Sequence, residues 1–507
     1  MKKRLLALLL AITTLLPLAV ACGTKDDATA TTTAATTTAA PADGTTAATE
    51  TTTEGYAVKD NLPEDLKYTG KTISIISRGR DWCKDEVSVD ALTGDVINDA
   101  IYNRNAAVED RLGVKIVNQL TTDKDNYSIT ETIRKQVQAG TNEYNLFANS
   151  VYATIMYTAD NLFQDMTELT YLDLEQPYWS QGFNEAASIG EAQYFATGAI
   201  CLSLYRFVFV TFFNKNIFDE NQMPYLYDVV NDGKWTLEYQ RQISQNIYTD
   251  VNGDGAKDAG DIYGLITNHN MIGVDAYWSS CDLPILGKDA DNFLQYAVNV
   301  ERLSNAVDKI NLLLHENDGA YLVDNKSADA EQDDIATMFS QDQAAMTTLR
   351  LIHVESDEMR NMSSLYGIVP MPKLDESQES YRSYAHDTMT AYGIPLTVID
   401  DELEMIGAFL EAMASESYRT VTPAYYELAL KTKYVSDEES VKMLDDIINH
   451  FYVDAGVLYT KKISSFHQNM RTWVGQNRNT VASMIKATER VIGKQLNELN
   501  EGIGALQ

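Results

Sequence analysis

The sequence predicts an α/β fold in two lobes, and three observations carry that expectation. Runs with strand character alternate with runs of helical spacing at the start of the folded body, which implies a largely parallel sheet. A chain of 507 residues exceeds what one hydrophobic core organises. Its composition, 45% hydrophobic and 9% aromatic, can fill two interiors.

The folded body is expected to begin near Leu66. Lys71 to Ser77 reads KTISIIS, a short run with β character. A polar loop follows, with Arg78, Gly79, Arg80, Asp81 and Trp82. From Gly94 to Leu112, the apolar residues Val96, Ile97, Ala100, Ile101, Ala107, Val108 and Leu112 fall at helical spacing. Gly113 breaks that helix, and Val114 to Gln119 forms a second strand. Ile129 to Ala139 predicts another helix, and Tyr144 to Ala148 a buried strand. Ligands of parallel sheets gather beyond the strand C-termini. Arg78–Trp82 and Asn149–Tyr152 are therefore expected to be ligand loops.

The formal charge is −33; without the leader cations Lys2, Lys3 and Arg4 there remain 37 basic against 73 acidic residues. Such a surface repels nucleic acid and offers phosphates no basic stripe. Residues 1–21 read as an export signal: the three cations, then an apolar stretch from Leu5 to Leu18 that is short for a membrane span. Ala19 and Ala21 lead to Cys22, which resembles a bacterial lipobox. That pattern prefers Leu three residues before the cysteine, where this chain has Ala19 after Leu18. The resemblance implies acylation of Cys22 and anchoring at the extracellular face of the membrane. Residues 22–65 are expected to be a disordered tether, because Gly23–Gly55 is almost entirely Thr, Ala and acidic residues without apolar periodicity. Such a chain spans roughly 30 Å on average and about 110 Å fully stretched. Cys83, Cys201 and Cys281 contain no CxxC and read as ordinary packing, although a Cys83–Cys281 bridge stays open.

From about Leu66 to the C-terminus, the order of segments resembles the bacterial extracellular solute-binding proteins that include the maltodextrin-binding proteins. The segments are NRNAAVEDRLGVKIV (103–117), YNLFANSVYATIMYTADNLFQDMTEL (144–169), FFNKNIFDE (212–220) and KWTLEYQRQIS (234–244), followed by FSQDQAAMTTLRL (339–351), YGIVPMPKLDESQESY (366–381) and IPLTVIDDELEMIGAFLEAM (394–413). Asp342 stands where the family's F-x-x-G-x-A-A-M segment has Gly. The resemblance implies a periplasmic-binding-protein-like fold whose hinged lobes close over a ligand. It places lobe one at 66–204 and 350–396, and lobe two at 205–349 and 397–507. It also implies a monomer that captures a small solute, most readily a sugar or oligosaccharide, and delivers it to an ABC permease without chemical change. A secreted carbohydrate-active hydrolase and a surface sensor that does not transport are the alternatives. Against the hydrolase, the sequence has no GxSxG, HExxH, P-loop or GxGxxG, and its six histidines are scattered.

Residues 250–261, DVNGDGAKDAGD, form the sharpest chemical motif. In EF-hand spacing Asp250, Asn252, Asp254, Asp258 and Asp261 supply side-chain oxygens, Ala256 a carbonyl, and Gly255 the sharp turn. The expected cofactor is a structural Ca²⁺. Asp261 replaces the usual bidentate Glu, and YGLIT (263–267) reads as a strand rather than a second helix.

Sugar sites combine aromatic platforms with hydrogen-bonding polar groups. The expected ligand residues are Arg80, Asp81, Trp82, Asn149, Tyr152, Tyr277, Trp278 and Arg350. By the resemblance, Tyr277 and Trp278 lie at the stacking position and Arg350 at a lobe crossing, with Trp278 the first choice. Trp179, Trp235 and Trp473 are expected in the core, with Thr236 capping a helix. Peptides, amino-acid derivatives, or an anionic ligand met by Arg78, Arg80 and Arg350 remain open.

Overall fold

Two separate sheets carry the architecture of the computed structural model, which describes residues 54–122, 126–323, 328–434 and 437–507. The predicted leader, Cys22 and the tether up to residue 53 lie outside the described residues. The described residues form one body. Its strands are β1 (Lys71–Ser77), β2 (Val114–Leu120), β3 (Leu146–Ser150), β4 (Phe209–Asn214), β5 (Tyr248–Thr249), β6 (Ile262–Thr267), β7 (Leu286–Lys288), β8 (Leu294–Tyr296), β9 (Ala320–Leu322), β10 (Ala344–Arg350), β11 (Tyr366–Val369) and β12 (Thr390–Gly393).

The first sheet runs β12-β3-β1-β2. β1 pairs in parallel with β2, Lys71 opposite Val114, and with β3, Ile75 opposite Leu146. β12 adds an antiparallel edge, Thr390 opposite Ser150. The parallel strands demand crossover connections, and helices α1 (Val96–Leu112) and α2 (Ser128–Ala139) supply them. Asp95 caps α1 by accepting from the Ile97 and Asn98 amides at 3.0 and 3.1 Å, and Gly113 ends it in the left-handed conformation at φ 68°. Ile73, Ile75, Leu112, Leu146 and Phe409 fill this lobe's core.

The second sheet runs β11-β4-β10-β6-β5, with β9 also on β6. β6 and β10 are parallel, whereas β4 is antiparallel to both β10 and β11. β7 and β8 form a separate hairpin. Thr236 caps the helix Leu237–Ser244 as predicted, accepting from Tyr239 at 3.2 Å. Trp179, Trp235 and Trp473 are buried, as are the free cysteines Cys83, Cys201 and Cys281.

Three sequence expectations need correction here. The folded body starts before Leu66: Leu62 is buried, and Asp60 takes a two-pronged ion pair from Arg111 at 2.6 and 2.7 Å. β11 belongs to the second sheet, so 350–396 is not wholly lobe one. The helix Asp400–Glu416 packs on α1 and fills the first core, so 397–507 is not wholly lobe two. The chain crosses between lobes at 207–209 and 384–386, which run side by side through a Val208–Ala385 bridge. A third crossing is the helical stretch through Ser417–Val421 and Ala424–Tyr434, wound with the wider π repeat. Among the described residues, no helix is long and apolar enough to cross a membrane.

Candidate functional site

A cavity of about 290 Å³ opens where the C-terminal ends of β1, β3 and β10 meet the segment entering β12 and residues of the second lobe. Its first wall is the loop after β1. Arg78 is buried there and donates to the Thr388 carbonyl (2.8 Å) and to Thr390 Oγ1 (2.5 Å), tying β1 to the strand-entry segment. Its guanidinium lies 4.8 Å from the centre of the Trp82 ring, and that of Arg80 lies at 5.8 Å. Trp82 in turn rests edge-on against Phe207, centroids 4.9 Å apart. Gly79 permits this turn: a Cβ there would sit 2.1 Å from the Thr121 carbonyl oxygen.

The loop after β3 supplies Tyr152, whose hydroxyl accepts from Asn126 Nδ2 at 2.7 Å. Asn126 Oδ1 is buried without a hydrogen-bond partner among the described residues. The crossing segment contributes His386, Asp387 and Thr388. His386 Nδ1 sits 2.7 Å from Thr388 Oγ1, and Nε2 is 3.6 Å from Asp387 Oδ1. Burial pushes the His386 imidazole down to about 4; Asp387 opposes that shift and Arg350 adds to it. Arg350, at the end of β10, lies over the Phe207 ring at 4.8 Å.

The second lobe closes the cavity with Met271, Thr460, Lys461, Gln468 and Arg471. Arg471 is held by a buried partner: its Nε donates to Asp275 Oδ1 at 2.8 Å and its Nη2 pairs with Oδ2. Burial alone would raise the Asp275 carboxyl, but Arg471 and the nearby His467 outweigh it and hold the group well below the usual carboxylate range.

Four of the predicted ligand residues therefore line the cavity: Arg80, Trp82, Tyr152 and Arg350. Four do not. Asp81 points outward, its side chain 95% exposed and 2.9 Å from Lys84. Asn149 is fully buried at the end of β3, donating to the Asn126 carbonyl (2.9 Å), Thr130 Oγ1 (3.3 Å) and Thr154 Oγ1 (3.0 Å). It holds the Asn126 loop in place and does not face the cavity. Tyr277 and Trp278 sit on a five-residue helix, Ala276–Ser280, whose residues are all buried. Trp278 Nε1 donates to the His467 carbonyl at 2.8 Å, and the ring packs on Phe466. Both aromatics are core residues of the second lobe. The sequence reading missed Asn126, Asp387, Lys461 and Arg471 as residues of this cavity, since no motif marks these distant segments as neighbours.

No protein-family description and no curated protein matches this sequence. Solved structures do. The GacH receptor of Streptomyces glaucescens, described unliganded and with acarbose, superposes with a TM-score of 0.52 at 12% identity, over 84% of this chain and 98% of its own. A cyclo/maltodextrin-binding protein complexed with maltotetraose gives 0.52 at 12% identity, over 85% and 99%. RafE from Streptococcus pneumoniae gives 0.50 at 13% identity, over 87% and 99%.

The fold is that of the two-lobed solute-binding proteins. In this solute-binding fold, the cavity draws its lining from both lobes and from the crossing between them.

The predicted calcium loop lies in the second lobe between β5 and β6, on the surface except for Asp261. Its carboxylates are engaged with the loop's own backbone. Asp250 accepts from the Gly253 and Gly255 amides (2.6 and 2.8 Å), Asp254 from Ala256 (2.8 Å) and Asp258 from Gly260 (2.7 Å). Asp261 is buried and accepts from Val251 N and Tyr248 OH, both at 3.1 Å. Gly255 takes φ 78°, the turn expected at the sixth position. Among the described residues, no three His, Cys, Asp or Glu side chains gather where they could hold a metal ion. The loop makes the expected turn at Gly255, and its side-chain oxygens accept from its own backbone amides.

Proposed function

We propose that this chain is the extracellular, lipid-anchored substrate-binding subunit of an ABC importer. It captures a small solute of the sugar class by lobe closure and delivers it unchanged to a membrane permease. The observation that carries this reading is the cavity, walled by both lobes and furnished with an aromatic ring, Trp82, beside hydrogen-bonding groups from Tyr152, Asp387, Thr460 and Gln468. Its volume of about 290 Å³ favours a ligand of one or two sugar rings over a long oligosaccharide. A glycoside hydrolase of the usual kind needs two carboxylates flanking the scissile bond. Of the lining residues, only Asp387 carries one. The anchor and export signal rest on residues 1–22, and the calcium role on the spacing of residues 250–261.

The test is a thermal-shift screen of the chain against mono- and disaccharides, with product analysis of each hit. Binding to the folded state alone raises the melting temperature by mass action. A ligand-dependent rise without product supports capture, and consumption of the sugar overturns it. Co-purification of a membrane permease separates transport from surface sensing.

A further inference from the structure

The charge inside the cavity runs against the charge of the chain. A sequence with a formal charge of −33 and only 40 Lys and Arg among 507 residues places four of them on thirteen lining positions. These are Arg80 from the first lobe and Arg350, Lys461 and Arg471 from the second, against the single carboxylate of Asp387. Arg471 is neutralised from behind by Asp275. Arg80 and Lys461 enter no ion pair among the described residues, and Arg80 Nε is buried without a hydrogen-bond partner. The neighbouring Lys462, by contrast, turns away to Asp160 at 3.7 Å.

A neutral sugar gives no return for holding cations together in a partly desolvated cleft, where their mutual repulsion is less screened than on the surface. An anion does. Resting on the capture reading above, we infer that the ligand is a sugar acid, a mono- or disaccharide carrying a carboxylate, held between Arg80 of the first lobe and Lys461 of the second. The planar guanidinium fork of Arg80 suits a carboxylate in two-pronged contact. Asp387, in the same cavity, accepts from sugar hydroxyls and opposes a doubly charged phosphate more strongly than a singly charged carboxylate. Because the two cations come from opposite lobes, the anion is bridged best when the lobes are together, so its charge contributes to closure as well as to affinity.

Isothermal titration of the full chain with D-glucuronate and D-galacturonate, against D-glucose, D-galactose and glucose 6-phosphate, tests this. One acid is expected to bind at least about tenfold tighter than its neutral parent, an advantage that shrinks as salt rises. Arg80→Gln and Lys461→Gln should each weaken the acid by about tenfold and the neutral parent by much less. Lys461→Arg should retain binding, and Lys494→Gln, on the exposed face of the C-terminal helix, should change nothing. Unaltered melting temperatures of the ligand-free variants show that these losses are not unfolding. Neutral parents binding as tightly as the acids, the phosphate binding tightest, or no acid binding at all overturns the inference. Tight neutral binding without product would still leave the capture reading standing, and product from any probe would sink that reading instead.

Discussion

At the scale of single residues, two tryptophans divide the labour in a way that substitution can read. Trp278 is 2% exposed and fixed by its hydrogen bond to His467, so Trp278→Ala removes a core side chain and should destabilise the fold by about 3–5 kcal/mol. Trp82 is half-buried on the cavity wall, so Trp82→Ala should lower the ligand-free melting temperature less than Trp278→Ala does and abolish the ligand-induced rise. The opposite pattern, a stable Trp278 variant blind to ligand, would move the site into the second lobe's core. Arg80, Trp82 and Tyr152 were legible in the sequence because they directly follow strand ends, where this sheet architecture collects ligands. Trp278 misled because an aromatic pair on a short helix carries no sign of which way the helix faces. His386 supplies a second test at this scale. Its imidazole is brought down to about 4 by burial, whereas an unfolded histidine titrates near 6.5. Between those values the unfolded chain holds a proton that the native one lacks, so this group's contribution is lost as pH falls from about 6.5 toward 4. Buried Glu411, raised to about 7, acts in the opposite direction, gaining stability over the same fall. The difference between parent and His386→Asn therefore isolates the histidine. Denaturant melts should show the variant losing about 2 kcal/mol less than the parent between about pH 7 and pH 5. Equal losses would mean that His386 is not a buried neutral imidazole.

At the scale of elements, the parallel strands and their helices were readable because period and punctuation agree along 71–150. Gly113 and the isoleucines of β1 each point to the element that forms. The lobe borders were not readable, because membership of a sheet depends on pairing partners far away. YGIV at 366–369 reads as a buried strand in either lobe, and only its register against Phe212 and Phe213 puts it in the second. The helix Asp400–Glu416 belongs to lobe one through its packing on α1, a contact without local signature. The loop at 250–261 is the intermediate case. Its ligand spacing is plain in the sequence, but whether the oxygens gather depends on side-chain rotation, which spacing does not encode. An ionised carboxylate has about four lone-pair positions, so Asp250, Asp254 and Asp258 can keep these backbone amides and still turn oxygens toward the ion. If they do so, calcium at about ten times its dissociation constant adds about 1.4 kcal/mol to the stability of the fold. The melting temperature should then rise with calcium over chelator, and Asp250→Ala should erase the rise. Identical melting of the parent in both conditions would leave a hydrogen-bonded surface turn and no metal site.

At the scale of the whole molecule, the three crossings between lobes decide how closure proceeds. Two of them, 207–209 and 384–386, are bridged to each other and act as one ribbon. The third is helical and adjoins the first, with Arg206 stacked over Tyr425 at 5.4 Å and paired with Glu355 at 2.9 Å. A motion that swings one lobe on the other must bend all three together, and torsional change in a few crossing residues can absorb it. His386 lies on this ribbon, Asp387 directly follows it, and both line the cavity, so a ligand touching them acts on the hinge as well as on the walls. Ligand free energy can shift the lobes only to the extent that it differs between open and closed forms, and contacts from both lobes provide that difference. Small-angle scattering with and without a saturating ligand should therefore show a smaller radius of gyration when bound. The contraction should be lost in Arg80→Gln Lys461→Gln, which keeps the walls but removes the bridging charges. A bound form with the same radius as the free one would mean that the cavity is preformed, and that affinity comes from its walls without hinge motion.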